Sequence, residues 1–252
     1  MNISRHHPRY LSLSVRERLT EALSVGIVVP QGLIAHGRGE AFDYLLGEKT
    51  SLSASKAMSV AAALLLTSNH PVISVNGNTV ALVGADVVRL ATLIGSPIEI
   101  NLFHRSIRRE RVLASYLRRL GARDVLGTTK KAQVTVSGIA SLRRRVDVRG
   151  IGSADTVLIP LEDGDRAEAL KRARKKVIAI DLNPLSRTSQ VASVTIVDNV
   201  VRAIPALIRV VNRMHSMSRI ELLRITRNFD NHKNIRRTLR EMIEYLKGWQ
   251  TN

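Results

Sequence analysis

The feature that most constrains the fold is a repeated alternation, beginning near residue 72, of short apolar runs with longer segments of helical periodicity. The apolar runs cover residues 72–75, 98–103, 125–126, 156–161, 177–180 and 194–197. Helical patterns lie between or after them, at about 80–94, 106–120, 166–174 and 199–214. Strands that alternate with helices of this length indicate βαβ units and a parallel sheet covered on both faces. The sequence therefore predicts an α/β, three-layer fold with a mostly parallel sheet.

Extra helices are expected on both sides of this region. In the N-terminal part, Ser14 suits an N-cap and Gly26 a stop, while residues 32–40 have the glycine content of a loop. Helices are therefore predicted over residues 14–25, 41–46 and 53–67.

In the C-terminal part, apolar residues recur at helical spacing over 219–247, with arginines on the other face. This pattern predicts two amphipathic helices that pack on the body or on a second subunit. We expect one α/β domain over residues 1–252, with a helical N-terminal segment 1–67 and a helical C-terminal tail 215–252.

The formal net charge of +18 raises nucleic acid as a partner, but the charge is unevenly placed. Residues 101–150 hold 13 basic and 3 acidic side chains, and residues 205–252 hold 10 and 4. A nucleic-acid-binding protein that uses these two basic segments is the alternative from another class. Base stacking calls for aromatic residues among the arginines, and residues 123–150 contain none, so nucleic acid is not the expected partner.

Residues 128–150 interrupt the alternation and are expected to form an exposed excursion. The paired Lys130 and Lys131 and the triple arginine 143–145 suggest a solvated surface or a contact with a partner.

Composition and missing motifs exclude several classes of protein. The chain has no cysteine, which excludes disulfides, cysteine-ligated zinc, iron–sulfur clusters and a thiol nucleophile. It has no P-loop, no complete G-x-G-x-x-G, no G-x-S-x-G and no H-E-x-x-H. The apolar stretch at 57–67 is too short to span a bilayer, and the first residues lack the apolar core of a signal peptide. We therefore expect a cytoplasmic protein that does not enter a membrane.

Polar side chains follow several of the predicted strands at the point where each strand ends. Ligands of parallel α/β sheets bind at the carboxyl ends of the strands, so these side chains predict a binding site at one edge. They are Asn76, Asp163, Asp165, Asp181, Asn183, Asp198 and Asn199.

The segment 32–48 offers the strongest single motif, because two glycines flank Arg38 just before a predicted helix. Backbone N–H groups of Gly37 and Gly39, a helix N-terminus and a guanidinium could all face one anion, either phosphate or carboxylate. In the other interpretation, the segment is a turn in which Arg38 pairs with Glu40 or Asp43.

Two further motifs lie at the same predicted edge. Glu162, Asp163 and Asp165 place three carboxylates in one turn, which calls for Mg²⁺, an arginine or an amine nearby; in the alternative reading, Asp165 is a helix N-cap. Residues 181–188 follow a strand and offer phosphate oxygens the donors of Ser186, Arg187 and Thr188, although the Asn-Pro step alone predicts only a turn.

Together these motifs resemble the archaeal phosphopantothenate synthetases, also called 4-phosphopantoate–β-alanine ligases, from about residue 7 to residue 210. The matching stretches are HPRY (7–10), GLIAHGRGEAFDYLLGE (32–48), VNGN (75–78), INLF (100–103), PLEDGDR ending at Arg166, IDLNPLSR ending at Arg187 and TIVDN ending at Asn199. The sequence departs from the family in residues 133–150 and at Ala167, where a threonine is common. Substrate contacts from that middle segment are therefore not carried over.

The resemblance implies a Rossmann-like homodimer that uses ATP and Mg²⁺ in coenzyme A biosynthesis. 4-Phosphopantoate and β-alanine would give 4′-phosphopantothenate, AMP and pyrophosphate through an acyl-adenylate. By similarity, ATP would be contacted by Arg16, Arg38, Asp181, Leu182, Asn183, Arg187, Thr188, Asn199 and Val200.

The remaining site residues are expectations about chemistry. Arg38 and His36 would be catalytic, with Arg38 holding a phosphate; His36 would assist proton transfer from the attacking amine or else be a hydrogen-bonded structural histidine. Substrates are expected at Gly37, Gly39, Glu40, Asn76 and Asn78. Glu162, Asp163 and Asp165 would bind Mg²⁺ or the β-alanine ammonium. A kinase on the same scaffold is the rival enzyme class, and it would release ADP in place of AMP.

Overall fold

The protein is described by a computed structural model that covers residues 4, 6–7, 9–128, 133–139 and 141–248. Its strands are β1 (Pro71–Val75), β2 (Ile98–Ile100), β3 (Val125–Leu126), β4 (Gln133–Thr135), β5 (Arg145–Asp147), β6 (Thr156–Pro160), β7 (Lys176–Ile180) and β8 (Val194–Ile196). Its helices are α1 (Tyr10–Ser24), α2 (Pro30–Leu45), α3 (Leu52–Thr67), α4 (Gly77–Ile94), α5 (Ile107–Arg119), α6 (Gly164–Arg172), α7 (Arg187–Val191), α8 (Val200–Met214), α9 (Arg219–Arg227) and α10 (Asn231–Lys247).

The main sheet has six strands in the order β3-β2-β1-β6-β7-β8. Every neighbouring pair is parallel, with Ile73 opposite Ile98 on one side of β1 and Val72 opposite Val157 on the other. Strands β1, β2 and β3 follow one another towards one edge of the sheet, and β6, β7 and β8 follow one another towards the other edge. The strand order therefore reverses between β1 and β6. The predicted α/β fold with a parallel sheet is confirmed.

Both faces of the sheet are buried, which explains why its strands are continuous apolar runs. Ile73 and Val75 of β1 face a large core formed with α3, α4, α5 and α8. Val72 of the same strand faces a smaller core formed with α6 and residues of the 133–154 segment. Alternate residues of one strand therefore join two different cores, as the pleat requires.

The prediction that 128–150 forms an exposed excursion is wrong for several apolar residues of the segment and for Arg143, although many of its other described residues, including Arg144 and Arg145, are exposed. Strands β4 and β5 pair antiparallel, and Val136, Ile139 and Val146 are buried in the smaller core. Valines alternate with polar residues at 133–136 and 145–148, which is the sequence signal of a half-buried strand. Lys130 and Lys131 lie outside the described residues.

The prediction of a loop over 32–40 is also wrong, because α2 is continuous from Pro30 to Leu45 and absorbs the helix expected at 41–46. Pro30 stands in the first turn, where its missing N–H costs nothing and its fixed φ favours the helix. Helix α1 likewise begins earlier than predicted, at Tyr10, so Ser14 lies inside it and is not its N-cap. The predicted stop holds, since Gly26 follows the helix with φ +78°.

The two predicted tail helices are present as α9 and α10, and both pack on the body. Ser218 and Glu221 form a capping box at the start of α9. In α10, the Glu241 carboxylate accepts hydrogen bonds from the Ser53 N–H and hydroxyl at the start of α3. Asn231 accepts the N–H of Thr195 on β8 at 2.7 Å and donates to the Ser189 carbonyl at 2.9 Å.

One helix among the described residues, α4, is long and apolar enough to cross a membrane by length and composition alone. It packs against α8, α1 and β1, and its buried side chains belong to the large core. A core helix of an α/β protein has the same composition, so this helix is explained by its packing.

Candidate active site

A cavity of about 680 Å³ opens at the carboxyl ends of β1, β6 and β7, where the strand order reverses. Helix α2 and the loop after β2 form its other walls. Of the residues expected at the site, those that line it are His36, Arg38, Gly39, Asn76, Asn78, Glu162, Asp163, Asp181, Leu182, Asn183, Arg187 and Thr188. Those that do not are Arg16, Gly37, Glu40, Asp165, Asn199 and Val200. The predicted convergence of strand-end side chains is therefore found at three of the strands.

Arg38 reaches this cavity from the middle of α2, on an exposed face of the helix. Within the described residues it forms no hydrogen bond or ion pair, so the alternative in which it pairs with Glu40 or Asp43 is wrong. Glu40 instead accepts a hydrogen bond from Ser12 and lies 3.5 Å from Arg16, and Asp43 pairs with Arg202. Because its charge lacks such a partner, Arg38 can meet an anion in the cavity.

The two glycines beside Arg38 do not form the amide cradle that the sequence suggested. Gly37 and Gly39 lie inside α2, where backbone N–H groups donate to carbonyls one turn earlier. A Cβ at either position would meet nothing within 4 Å, so both glycines leave open space beside the arginine. Their contribution to a binding site is room and not hydrogen bonds.

His36 lies one turn before Glu40 on α2, and its Nε2 is buried without a partner among the described residues. Burial lowers the pKa of His36 below its usual range; the Glu40 carboxylate opposes this shift and Arg16 adds to it. The imidazole is therefore neutral near pH 7 and can accept a proton.

Asn76 and Asn78 tie the cavity walls together. Asn76 caps α4 by accepting the Thr79 N–H, and its amide donates to the Leu161 carbonyl at 2.7 Å. This contact joins the end of β1 to the end of β6. Asn78 donates to the Gly32 carbonyl at 2.8 Å, and a Cβ on Gly32 would come within 2.4 Å of the Asn78 Oδ1. A side chain at residue 32 would therefore displace the Asn78 amide and weaken this contact between α2 and α4.

The acidic turn after β6 is neutralised by two buried arginines. Glu162 forms ion pairs with Arg143 and with Arg166, whose side chains are 4% and 0% exposed, and Asp163 also pairs with Arg143. The turn begins at Leu161, which has φ +54° and carries the backbone strain of a left-handed non-glycine residue. Two hydrogen bonds hold this turn in place. Asn76 donates to the Leu161 carbonyl, and the Thr188 hydroxyl donates to the Glu162 carbonyl at 2.7 Å.

Arg143 is a cavity-lining residue that the sequence interpretation missed. Its Nε donates to the Asn101 side chain and its Nη2 to the Asn101 carbonyl, at 3.1 and 3.3 Å. Asn101 follows β2 and also donates to the Arg143 carbonyl. The acidic turn could have indicated Arg143, because an arginine was one of the partners expected for its three carboxylates.

The carboxylates expected to bind Mg²⁺ do not form a site of the right kind. Glu162 and Asp163 are engaged by guanidinium groups, Asp165 lies in the first turn of α6 outside the cavity lining, and Asp163, not Asp165, is the N-cap residue of α6. No group of three or more His, Asp or Glu side chains in the described part of the chain is arranged to hold a metal ion. The residues therefore do not fit a Mg²⁺ ion held by the protein.

Residues 181–188 form the wall opposite α2. Asp181 accepts hydrogen bonds from the Asn183 N–H and the Ser186 hydroxyl. Burial raises the pKa of Asp181, while these two donors and the charge of Arg38 oppose the shift. Arg187 is exposed and pairs with Glu168 at 2.5 Å. A Cβ on Gly164 would come within 2.5 Å of the Arg187 Cβ, so Gly164 sets the position of this arginine.

Asn199 and Val200 lie at the start of α8, beyond the cavity lining. Asn199 is the N-cap residue of α8, and its amide donates to Asp43 of α2 at 2.8 Å. Arg202 joins the same cluster by pairing with both Asp43 and Asp198. In this arrangement the cluster fixes α2 to α8, and His36, two turns before Asp43, lies on the same face of α2, where the Asp43 carboxylate also opposes the lowering of the His36 pKa.

The described part of the 133–154 segment is fixed to the sheet by Glu99 of β2. This fully buried carboxylate accepts the N–H groups of Asp147 and Ile151 at 3.0 and 2.7 Å. Burial raises the pKa of Glu99 to about 7, against these two hydrogen bonds and the charge of Arg166. Glu99 therefore supports the hairpin that carries Arg143 into the site.

The strand order and the cleft at its reversal point define an α/β protein of the Rossmann type, in which this position binds ligands. Residues 53–245 match the family described as phosphopantothenate/pantothenate synthetase. The chain belongs to this family.

Curated relatives agree with this assignment. A protein of Thermococcus kodakarensis named 4-phosphopantoate–β-alanine ligase is 47% identical over 248 residues, which cover 98% of this chain and 93% of the relative. A protein of Methanosarcina mazei with the same name is 45% identical over 246 residues, covering 98% and 96%. A third, from Methanospirillum hungatei, is 51% identical over 207 residues, covering 82% and 84%.

Proposed function

We propose that this chain joins 4-phosphopantoate to β-alanine, forming 4′-phosphopantothenate for coenzyme A biosynthesis while ATP is converted to AMP and pyrophosphate. Membership in the family and the names of its relatives support the two small-molecule substrates. The observation that carries the proposal is the cleft at the strand reversal, with Arg38 on its wall and without a hydrogen bond or ion pair within the described residues. Such a cleft suits two anionic substrates.

The proposed reaction has two steps. An oxygen of the 4-phosphopantoate carboxylate attacks the α-phosphorus of ATP, and pyrophosphate leaves. The amine of β-alanine then attacks the acyl carbon of the adenylate, AMP leaves with the bonding electrons, and the nitrogen loses a proton. The protein forms no covalent bond with the substrates. Its tasks are to align the two anions and to stabilise the charge that develops on phosphate oxygens.

Arg38 is the residue best suited to the first task, because its guanidinium is available at the cavity. ATP is placed along Asp181, Leu182, Asn183, Arg187 and Thr188 on the facing wall, with Ser186 as an additional hydroxyl. Arg16, Asn199 and Val200, expected from the resemblance, would contact ATP only beyond the cavity lining. We place Mg²⁺ only on the phosphates of ATP, since the described residues offer it no ligand cluster.

For His36, the proposed role is to accept the proton of the attacking amine. Its buried and unpartnered Nε2 and its lowered pKa support this role, because a neutral imidazole is the proton acceptor. Asn76 and Asn78 border the substrates, although their amides are also engaged by the backbone. Glu40 has a positioning role, because its carboxylate contacts the Arg16 guanidinium and accepts a hydrogen bond from the Ser12 hydroxyl beside the site.

We also propose that the protein is a homodimer and that it acts in the cytoplasm. A homodimer is supported by apolar side chains on α9 and α10 that remain exposed in this chain, including Ile220 at 65% and Ile243 at 52%. The use of ATP supports a place in the cytoplasm.

Incubation with ATP, Mg²⁺, 4-phosphopantoate and β-alanine, followed by identification of the products, tests the function. We expect 4′-phosphopantothenate and AMP in equal amounts. ADP in place of AMP would identify a kinase. Absence of ligation together with a steep salt-dependent affinity for duplex DNA or RNA would favour the nucleic-acid-binding alternative.

A further inference from the structure

Arg109, the third residue of α5, lines the cavity but was not among the residues expected at the site. Its guanidinium donates three hydrogen bonds, all to backbone carbonyls: to Gly26 at 3.3 Å, to Ile27 at 2.9 Å and to His104 at 2.6 Å. Carbonyl oxygens orient a guanidinium, but they do not neutralise its charge.

Four other buried or half-buried arginines differ from Arg109 in this respect, whereas Arg18, which donates to the Ser14 and Leu82 carbonyls, resembles it but does not line the cavity. Arg105 pairs with Glu110, Arg143 and Arg166 pair with Glu162, and Arg202 pairs with Asp43. Arg109 forms no ion pair with any described residue. Burial alone lowers its pKa, with no carboxylate acting against the shift. A half-buried cation without a counter-charge is costly unless an anion completes it.

The position of Arg109 identifies which end of the cleft such an anion would occupy. Its Nη2 lies 3.1 Å from the place of a Cβ on Gly77, so the guanidinium packs against the chain just after β1, on the side of β2. Arg187 and Thr188 follow β7, at the other end. From β2 to β7 there are three strand spacings, or roughly 14 Å at about 4.8 Å each. The cleft therefore has a cationic group at each end.

We propose that Arg109 binds the phosphate monoester of the acid substrate and makes the enzyme specific for phosphorylated acids. This inference rests on the proposed function. Both substrates of the adenylation step carry phosphate, and their reacting atoms must meet between the two ends. With ATP on the β7 side, the phosphate of 4-phosphopantoate lies at Arg109. Unphosphorylated pantoate would leave the Arg109 cation without a partner. A polar site strongly rejects an analogue that leaves its own buried polar group unpaired.

The first test replaces the guanidinium while a neighbouring arginine serves as control. Arg109→Met is compared with Arg108→Met, since Arg108 is exposed on the same turn and does not line the cavity. We expect Arg109→Met to raise the KM for 4-phosphopantoate at least about tenfold, as loss of a charge-assisted contact predicts, with the KM for ATP changed less than about twofold. Arg109→Lys, which keeps the charge, recovers part of the affinity.

Because Arg109→Met also removes three hydrogen bonds to the backbone, a second pair of variants leaves the arginine in place. His104 is exposed at the cavity beside Arg109. His104→Glu places a carboxylate where it can neutralise the guanidinium, and His104→Gln is its uncharged counterpart. We expect the KM for 4-phosphopantoate to be several-fold higher in His104→Glu than in His104→Gln. The KM for pantoate should not be higher in His104→Glu, because the new carboxylate gives Arg109 the partner that pantoate lacks.

The outcomes separate this inference from the proposed function. If the wild-type protein forms no 4′-phosphopantothenate, the proposed function fails, whatever Arg109 does. If the wild type ligates but His104→Glu and His104→Gln have the same KM for 4-phosphopantoate, the inference is overturned. A KM for ATP that rises as much as that for 4-phosphopantoate in Arg109→Met also overturns it, because Arg109 would then serve the nucleotide.

Discussion

The two sides of the cleft use their arginines in opposite ways. In the turn after β6, Arg143 and Arg166 are buried and each is paired with Glu162. On the walls formed by α2 and α5, Arg38 and Arg109 form no ion pair with a described carboxylate, although burial raises the pKa of Asp181 across the cleft against the charge of Arg38. A paired guanidinium fixes the shape of the protein, whereas an unpaired one leaves its charge available to a ligand. The difference predicts that substitutions on one side affect stability and on the other side affect catalysis.

The largest effect is expected on the paired side. Arg143→Met removes the partner of Asp163 and one of the two partners of the buried Glu162, and should lower the free energy of unfolding by about 3 kcal/mol, the lower end of the range for a broken buried pair, because Arg166 remains. Chemical denaturation measures this loss. Arg144→Met, at the exposed neighbouring position, should change it by less than about 0.5 kcal/mol. Equal stability of the two variants would contradict the structural role of Arg143.

On the unpaired side, Arg38→Ala should lower turnover by about 10²–10³-fold, the range seen when one charge-stabilising donor is lost. Its melting temperature should stay within a few degrees of the wild type, because no described residue loses a partner. Steady-state kinetics and thermal unfolding are to be measured on the same sample. Product formation close to the wild-type rate would remove Arg38 from the proposed mechanism.

A third effect depends on pH, through Glu99 beneath the paired side. Its folded-state pKa of about 7 lies above the ordinary value of 4.5, so its contribution to stability is fully present below about pH 4.5 and is lost as pH rises through 7. The loss amounts to at most about 3 kcal/mol.

Comparison of unfolding at pH 5 and pH 8 tests this dependence. The stability difference between the two pH values should shrink in Glu99→Gln and persist in Asp124→Asn, which alters an exposed carboxylate next to β3. The histidine contribution of His36 is the same in each protein and cancels. An unchanged pH dependence in Glu99→Gln would show that other groups cause it.

The smallest effects are expected at two glycines, Gly164 in the cleft wall and Gly37 within α2. Gly164→Ala forces the Arg187 Cβ to move and should cost about 1–3 kcal/mol, with a raised KM for ATP. Gly37→Ala, in open space within α2, should stabilise the protein by about 0.5–1 kcal/mol. If both substitutions had the same sign, the close approach of Gly164 to Arg187 would not be a constraint on the wall.

The sheet and the polar strand ends could be predicted because both follow from local sequence. A buried parallel strand is a continuous apolar run, and Asn76 and Asp181 stand just past such runs. The helical conformation of α2 could not be predicted in this way, because its glycines indicate a loop. The helix is favoured by Pro30 and by contacts with Asn78, Ser12 and Arg202, which lie far away along the chain.

The burial of Arg143 could not be predicted from the sequence either. Three consecutive arginines look alike in the sequence, yet only Arg143 is buried, because Asn101 and the acidic turn lie where its side chain points. Which member of a basic run is paired depends on contacts with residues 19 to 42 positions away along the chain. Arg109 is hidden among the exposed arginines of α5 for the same reason.

The hydrogen bond from Thr195 to Asn231 has a consequence for how the chain is made. Strand β8 is the last strand at its end of the sheet, and an uncovered strand edge can pair with another molecule. Here a side chain of α10 takes the place of the next strand. The sheet is complete once β8 has left the ribosome, but its edge stays open until α10 follows. During that interval the nascent chain is most exposed to association with its own copies.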